Sequence, residues 1–115
     1  MMDGRAIIKV LFVCSRNKWR SLTAEKIFAG QAGLDVRSVG TEEQARVRIT
    51  SGHVGWADVI FAMEKKHVRR ITEKFGDMLG DKKLICLDIP DDYSFMDEEL
   101  IEILESRVAE YIDLV

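Results

Sequence analysis

Hydrophobic and polar positions change period several times along the chain. Ala6-Ile-Ile-Lys-Val-Leu-Phe-Val13 is a nearly continuous apolar run rich in β-branched and aromatic residues, the pattern of a strand covered on both faces. From Ser21 to Ala32 the period turns helical, with Leu22, Ala24, Ile27 and Phe28 on one side and Glu25, Lys26 and Gln31 on the other; Gly33 is the expected stop. Leu34 to Val39 predicts a second strand, closed by Gly40. Thr41 to Gly55 is polar and weakly periodic, which predicts a loop with one helical turn after Thr50. Ala57 to Met63 predicts a third strand, Glu64 to Phe75 a helix with Val68, Ile71 and Phe75 on one face, and Lys83 to Leu87 a fourth strand. The last element runs from Asp97 to about Ile112, with Leu100, Leu104, Val108 and Tyr111 at helical spacing. Asp97, Glu98 and Glu99 stand at its start, where the helix macrodipole favours acids.

Strands alternating with helices predict an open α/β domain with a mostly parallel sheet of four strands. Ligands of such sheets sit outside the carboxyl ends of the strands, so the positions to inspect follow Val13, Val39, Met63 and Leu87. A chain of 115 residues has room for one such domain, spanning residues 1–115. With 17 Lys+Arg against 20 Asp+Glu, a formal charge of −3 gives no electrostatic case for binding nucleic acid. The apolar run from Ile7 to Val13 is interrupted by Lys9 and is too short to span a bilayer, and Asp3 stands among the first residues where a signal peptide is basic. The expectation is a cytoplasmic protein, monomeric or weakly dimeric, with no membrane or nucleic-acid partner. Two cysteines without a C-x-x-C spacing signal neither a disulfide framework nor a zinc or dithiol site. No metal or other cofactor is expected.

The first inspected position holds Cys14-Ser-Arg-Asn-Lys-Trp-Arg20-Ser21, wedged between a buried strand and a helix. A loop turning from a strand end into a helix start aims several backbone N–H groups at one point, which makes an anion cradle. The positive helix end and Arg20 both favour the thiolate form of a cysteine at its mouth. Arg20 offers a planar fork matching two oxygens of a phosphoryl group. The Ser21 hydroxyl can donate to the sulfur. A cysteine followed six places later by Arg-Ser, between strand and helix, is a cysteine-phosphatase constellation.

With these residues in register the chain resembles the low-molecular-weight protein tyrosine phosphatase family. The match runs from Val10 through Ser21-Leu-Thr-Ala-Glu25, then Val39-Gly-Thr41, Ala45-Arg46, Ile49-Thr50, Ala57 to Met63 with His67, and Asp88-Ile-Pro-Asp-Asp-Tyr93. The resemblance implies a phosphatase-type fold, a four-stranded parallel sheet in the order 2-1-3-4 flanked by helices. It implies a phosphotyrosine-type monoester hydrolase acting through a cysteinyl phosphate on a phosphorylated protein or small aryl phosphate. Cys14 is then the nucleophile, and Arg20 binds phosphate with the loop residues Ser15, Arg16, Asn17, Lys18, Trp19 and Ser21. Asn17 takes the place of the family's loop asparagine, a residue type that tolerates a left-handed backbone. Asp91 takes the place of the general acid, and Tyr93 is the aromatic expected to wall the entrance.

The chain departs from the family pattern at Arg16, which replaces a glycine and requires a negative φ there, at Trp19, which replaces a second cysteine, and at Leu22, which replaces a proline. Asp91-Asp92 stands where the family has Asp-Pro, so Asp88 and Asp92 are rivals for the acid. Lys18 favours an anionic or doubly charged substrate. The segment between Val39 and Ala57 is shorter than the family's insert. Alternatives are a cysteine phosphocarrier of the sugar phosphotransferase type, which lacks the arginine and the late acid; an arsenate reductase, for which only Cys86 supplies a further thiol; and a phosphate-binding relic without turnover. Cys86 reads as core packing in the fourth strand, His67 as a structural hydrogen-bonding residue, and the basic run Lys65, Lys66, Arg69, Arg70 and Lys74 as a solvated helix face with phosphoprotein docking as the alternative. His53 carries no signal.

Overall fold

A computed structural model describes residues 7–113; Ala6, at the head of the first predicted strand, and Asp3 lie outside them. Four strands and four helices follow in the order β1 (Ile8–Cys14), α1 (Arg20–Phe28), β2 (Leu34–Gly40), α2 (Ser51–Trp56), β3 (Val59–Ala62), α3 (Lys65–Leu79), β4 (Lys83–Cys86) and α4 (Glu98–Ala109). The strands form one sheet in the order β2-β1-β3-β4, and every neighbouring pair is parallel. This is the predicted α/β sheet and strand order.

The continuous apolarity of β1 has the anticipated cause, because alternate residues of the strand enter two different cores. Val10, Phe12 and Cys14 face α1 and α4, packing with Ala24, Phe28, Leu100, Leu104 and Val108. Leu11 and Val13 face α2 and α3, with Val54, Ile71 and Phe75. Phe12 stacks between Phe28 and Phe61, at ring-centroid distances of 5.7 and 5.4 Å. Each fully buried aliphatic or aromatic side chain of this kind contributes on the order of 1.5–3 kcal/mol.

Element boundaries shift where glycine or capping decides them. Helix α1 ends at Phe28, ahead of Gly30 and short of the expected Gly33, which adopts φ +85° in the turn into β2; a glycine inside a helix costs about 1 kcal/mol relative to alanine. The expected turn after Thr50 is the six-residue α2, whose first turn is closed by Thr50 and His53: the His53 N–H donates to Thr50 Oγ1 and the Thr50 N–H to His53 Nδ1. His53, silent in the sequence, is thus a capping residue. Helix α3 runs past its predicted end, with a break in helical backbone at Phe75 ahead of Gly76 and a stop at Gly80, φ +50°. Helix α4 starts as its acids predict, with Asp97 Oδ1 accepting from the Glu99 N–H at 2.9 Å. No helix among the described residues is long and apolar enough to cross a membrane.

Candidate active site

The carboxyl end of β1 delivers the chain into the loop Cys14 to Trp19, and Arg20 opens α1. What shapes the loop is the segment after β2. The carbonyls of Cys14, Ser15 and Arg16 accept from the N–H groups of Thr41, Glu42 and Arg46 at 3.0, 3.0 and 2.9 Å, and the Asn17 carbonyl accepts from Arg46 Nε at 3.3 Å. In a planar trans peptide the N–H points opposite to the C=O. Four successive carbonyls drawn to one side therefore turn the following N–H groups to the other, toward the hollow over Cys14. The Asn17 N–H meets Cys14 Sγ at 3.3 Å. Those of Arg16, Lys18 and Trp19 have no partner among the described residues.

Two residues let the loop and its clamp fit together. Asn17 adopts φ +58°, so the left-handed turn falls on asparagine, and Arg16 is not among the residues with positive φ. The Asn17 side chain is fully buried and donates through Nδ2 to the hydroxyls of Ser21 and Ser38, both at 2.8 Å. The Ser38 hydroxyl donates to Glu25 Oε1, which pairs with Arg46. Gly40 is the second: a Cβ there would lie 2.5 Å from the Ser15 carbonyl oxygen and 2.9 Å from the Arg16 carbonyl carbon. Only glycine lets the segment 40–46 approach this closely.

Cys14 Sγ lies 2.9 Å from Ser21 Oγ, and the cysteine is 3 % exposed. Arg20 is 2 % exposed and held at three points: Nη1 donates to the Ile89 carbonyl at 2.8 Å and lies 3.1 Å from Glu64 Oε1, while Nε lies 3.7 Å from Asp91 Oδ1. Burial alone would raise the Glu64 pKa, but the Arg20 hydrogen bond and charge, with Lys66 and His67, outweigh it and hold the carboxyl below its ordinary range. Glu64 also begins α3, and its N–H donates to His67 Nδ1 at 3.0 Å. That bond leaves the ring proton on Nε2, which donates to Ser15 Oγ at 2.9 Å. Burial, then the Arg20 charge, pushes the His67 pKa down to about 4, so the ring is neutral and its tautomer fixed.

The hollow over Cys14 has a volume of about 290 Å³ and is lined by Cys14, Ser15, Arg16, Lys18, Trp19, Arg20, Glu42, Lys66 and Asp91. Of the site residues taken from the sequence, seven line it, and Asn17 and Ser21 lie buried beneath the loop. Tyr93, expected at the entrance, does not line it; its ring packs on the α1/α4 core and its hydroxyl lies 3.4 Å from Glu99. The aromatic at the mouth is Trp19, 44 % exposed. Among the three rival acids only Asp91 reaches the hollow. Asp88, at φ +55°, accepts from Cys86 Sγ at 3.4 Å, and Asp92 is exposed outside it. Cys86 ends the edge strand β4 half-buried and joins neither core; burial raises its thiol pKa above the ordinary value. Glu64, Glu42, Lys66 and Gly40 take part in the site although the sequence alone assigned them no role there. Glu64 had a signal, since it directly follows Met63, one of the strand-end positions.

No protein-family model matches the chain, and no curated protein sequence does. Solved structures do match. The chain superposes on YwlE arginine phosphatase from Geobacillus stearothermophilus with a TM-score of 0.71 at 24 % identity, over 90 % of this chain and 91 % of that one. It matches the tyrosine phosphatase Wzb from Escherichia coli K30 at 0.73 and 19 % identity, over 91 % and 96 %. It matches SP-PTP, a low molecular weight protein tyrosine phosphatase from Streptococcus pyogenes, at 0.72 and 17 % identity, over 93 % and 95 %. The fold is that of the low-molecular-weight phosphatases. Nearly the full length of each of these three phosphatases is spanned.

Proposed function

We propose that this chain is a phosphomonoester hydrolase of the low-molecular-weight tyrosine phosphatase type, its site carried by one domain. The observation that carries the reading is the loop Cys14 to Trp19, whose carbonyls are tied to the 41–46 segment and whose Asn17 N–H meets the cysteine sulfur, with the buried Arg20 lining the same hollow. Such preorganised donors match the charge on a phosphoryl group in transit and need no rearrangement during reaction. The Cys14 thiolate, held by the Ser21 hydroxyl and the Asn17 N–H, attacks phosphorus. As the S–P bond forms, the P–O bond to the leaving group breaks, and Asp91 in its acid form gives that oxygen a proton. The Asp91 carboxylate then takes a proton from water, whose oxygen displaces sulfur and releases inorganic phosphate and the thiolate.

The rim favours a phosphotyrosine-type ester over phosphoarginine. Arg16 is offset by Glu42 and Lys66 by Glu64, whereas Lys18 makes no ion pair or hydrogen bond among the described residues and lines the hollow, so its charge is the one a cationic guanidinium group would meet there. Trp19 offers the apolar wall that an aryl group fits.

The test is release of nitrophenol from an aryl phosphate at mildly acidic pH, with and without chelator. Turnover is expected to survive chelator, to vanish in Cys14→Ser and to fall by about 100-fold or more in Asp91→Ala. Turnover that persists in Cys14→Ser, or an Asp88→Ala variant slowed as much as Asp91→Ala is expected to be, overturns the mechanism.

A further inference from the structure

Helix α3 carries Lys66, Arg70 and Lys74 at successive intervals of four, which places them in one row along its surface. Lys66 stands at the active-site hollow, and the row leads away from it. A small hollow lined by Ser15, Thr41, Glu42, Lys66, His67 and Arg70 shares Ser15, Glu42 and Lys66 with the active site. It shares Thr41 and Arg70 with a third hollow of about 390 Å³, whose floor is Ile49, Ile71 and Phe75 and whose rim holds Arg48, Arg70 and Lys74. Through these shared wall residues the three hollows adjoin one another, a groove interrupted at its narrow middle. Arg48, Arg70 and Lys74 make no ion pair among the described residues, although the chain as a whole carries a net charge of −3. Lys65 and Arg69, the other members of the basic run, lie off this row and line none of the three hollows.

Resting on the phosphatase reading above, we propose that this groove docks an acidic peptide segment beside the phosphorylated residue, so that the substrates are phosphoproteins with acidic and bulky apolar neighbours. From Lys66 to Lys74 the helix advances about 12 Å, the length of roughly four extended residues. Carboxylates within that distance of the phosphoresidue meet Arg70, Lys74 and Arg48. An apolar side chain among them rests on the exposed edges of Phe75 and Ile49. A nucleic-acid strand fits less well, because Glu42 and Glu73 interrupt the wall and would face its continuous phosphates.

The test compares kcat/KM for three phosphotyrosine peptides: one with acids and a leucine on the amino side, one with them on the carboxyl side, and one neutral. At least one acidic peptide is expected to exceed the neutral one by about fivefold or more, an advantage that shrinks as salt rises. Arg70→Ala/Lys74→Ala is expected to remove that advantage and leave turnover of a small aryl phosphate unchanged. Equal kcat/KM for all three peptides, or a preference that survives the double substitution, overturns the docking proposal while aryl phosphate turnover keeps the phosphatase reading intact. Absence of turnover on every substrate defeats the phosphatase reading, and docking is then read from binding of a labelled acidic peptide: affinity lost in the double variant upholds the groove, and affinity unchanged overturns it. A single-stranded oligonucleotide that displaces the labelled peptide at lower concentration than the unlabelled peptide does also overturns it.

Discussion

Gly40→Ala isolates the contact on which the loop geometry depends. Gly40 does not have positive φ, so alanine is compatible with its backbone, and in open space the change would stabilise by about 0.4–1 kcal/mol through the unfolded chain. Here the added Cβ would lie 2.5 Å from the Ser15 carbonyl oxygen, 2.6 Å from the Ala45 Cβ and 2.9 Å from the Arg16 carbonyl carbon. Two of these are backbone atoms, which cannot step aside as a flexible side chain would. Overpacking of this kind costs about 1–3 kcal/mol. Moving the segment away stretches the bonds from Thr41 and Glu42 to the Cys14 and Ser15 carbonyls, each worth about 1 kcal/mol. A net loss of about 2–4 kcal/mol follows. Gly30→Ala is the control, because nothing lies within 4 Å of a Cβ built at Gly30 and its φ is not positive, so it is expected to gain about 0.5–1 kcal/mol. Urea unfolding of the two variants beside the parent measures both signs, and inorganic phosphate inhibition reads the loop. If Gly40→Ala unfolds at the parent's midpoint and binds phosphate as tightly, the segment does not clamp the loop and the account of its carbonyls is wrong.

Three further outcomes follow from the same contacts. Folded His67 resists protonation down to about 4, whereas the unfolded chain takes that proton near 6.5; between these values the unfolded state binds more protons, so its contribution is complete above pH 6.5 and about 3 kcal/mol is lost as pH falls to 4. Urea midpoints against pH should show that slope, and His67→Gln, which cannot titrate, should flatten it; an equal slope in the variant refutes the assignment. Glu64→Gln keeps the shape but removes the charge opposite Arg20, and is expected to change phosphate inhibition several-fold with about 1 kcal/mol or less lost in stability; unchanged inhibition would mean that Glu64 only begins α3. Arg107 donates to the Leu87 and Asp88 carbonyls and so fixes the backbone that presents Asp91; Arg107→Ala should slow esters of poor leaving groups more than those of good ones, and a uniform loss would make it structural only.

The parallel sheet was legible because its cause is local. A strand such as Val10 to Val13, apolar at every position, must be covered on both faces, and the helical periods between strands supply the covers. Cys14, Arg20 and Ser21 were legible because a strand end and a helix start fix their relation to within a few residues. That Tyr93 stands outside the lining of the hollow was not legible, for the opposite reason. Its position depends on how the 87–97 segment is anchored, through the Leu87 and Ile89 N–H groups to the Ala62 and Met63 carbonyls, Arg107 to two carbonyls and the Met96 N–H to Thr23 Oγ1, and none of these bonds has a local signature. Glu64 and Gly40 belong to the same class. A glycine after a strand and a glutamate before a helix have ordinary explanations in sequence, and only the approach of segments far apart in the chain gives them a second role.

The short connection between β2 and α2 also changes where selectivity can reside. Its backbone is committed to the loop, with Gly40, Thr41, Glu42 and Arg46 all hydrogen-bonded inward or along their own turn. Ala45 lies against Gly40, and Ile49 is buried in the core, so little of the segment remains to build a wall over the hollow. What faces the hollow from that side is Glu42 and, beyond it, the Lys66 end of α3. A rigid helix spacing its cations by one turn reads charge at fixed intervals from the phosphoryl site, whereas a long loop reads shape by folding over the substrate. In this chain the first means is available, so under the phosphatase and docking readings proposed above recognition beyond the phosphoryl group is assigned to Lys18, Trp19 and the α3 row.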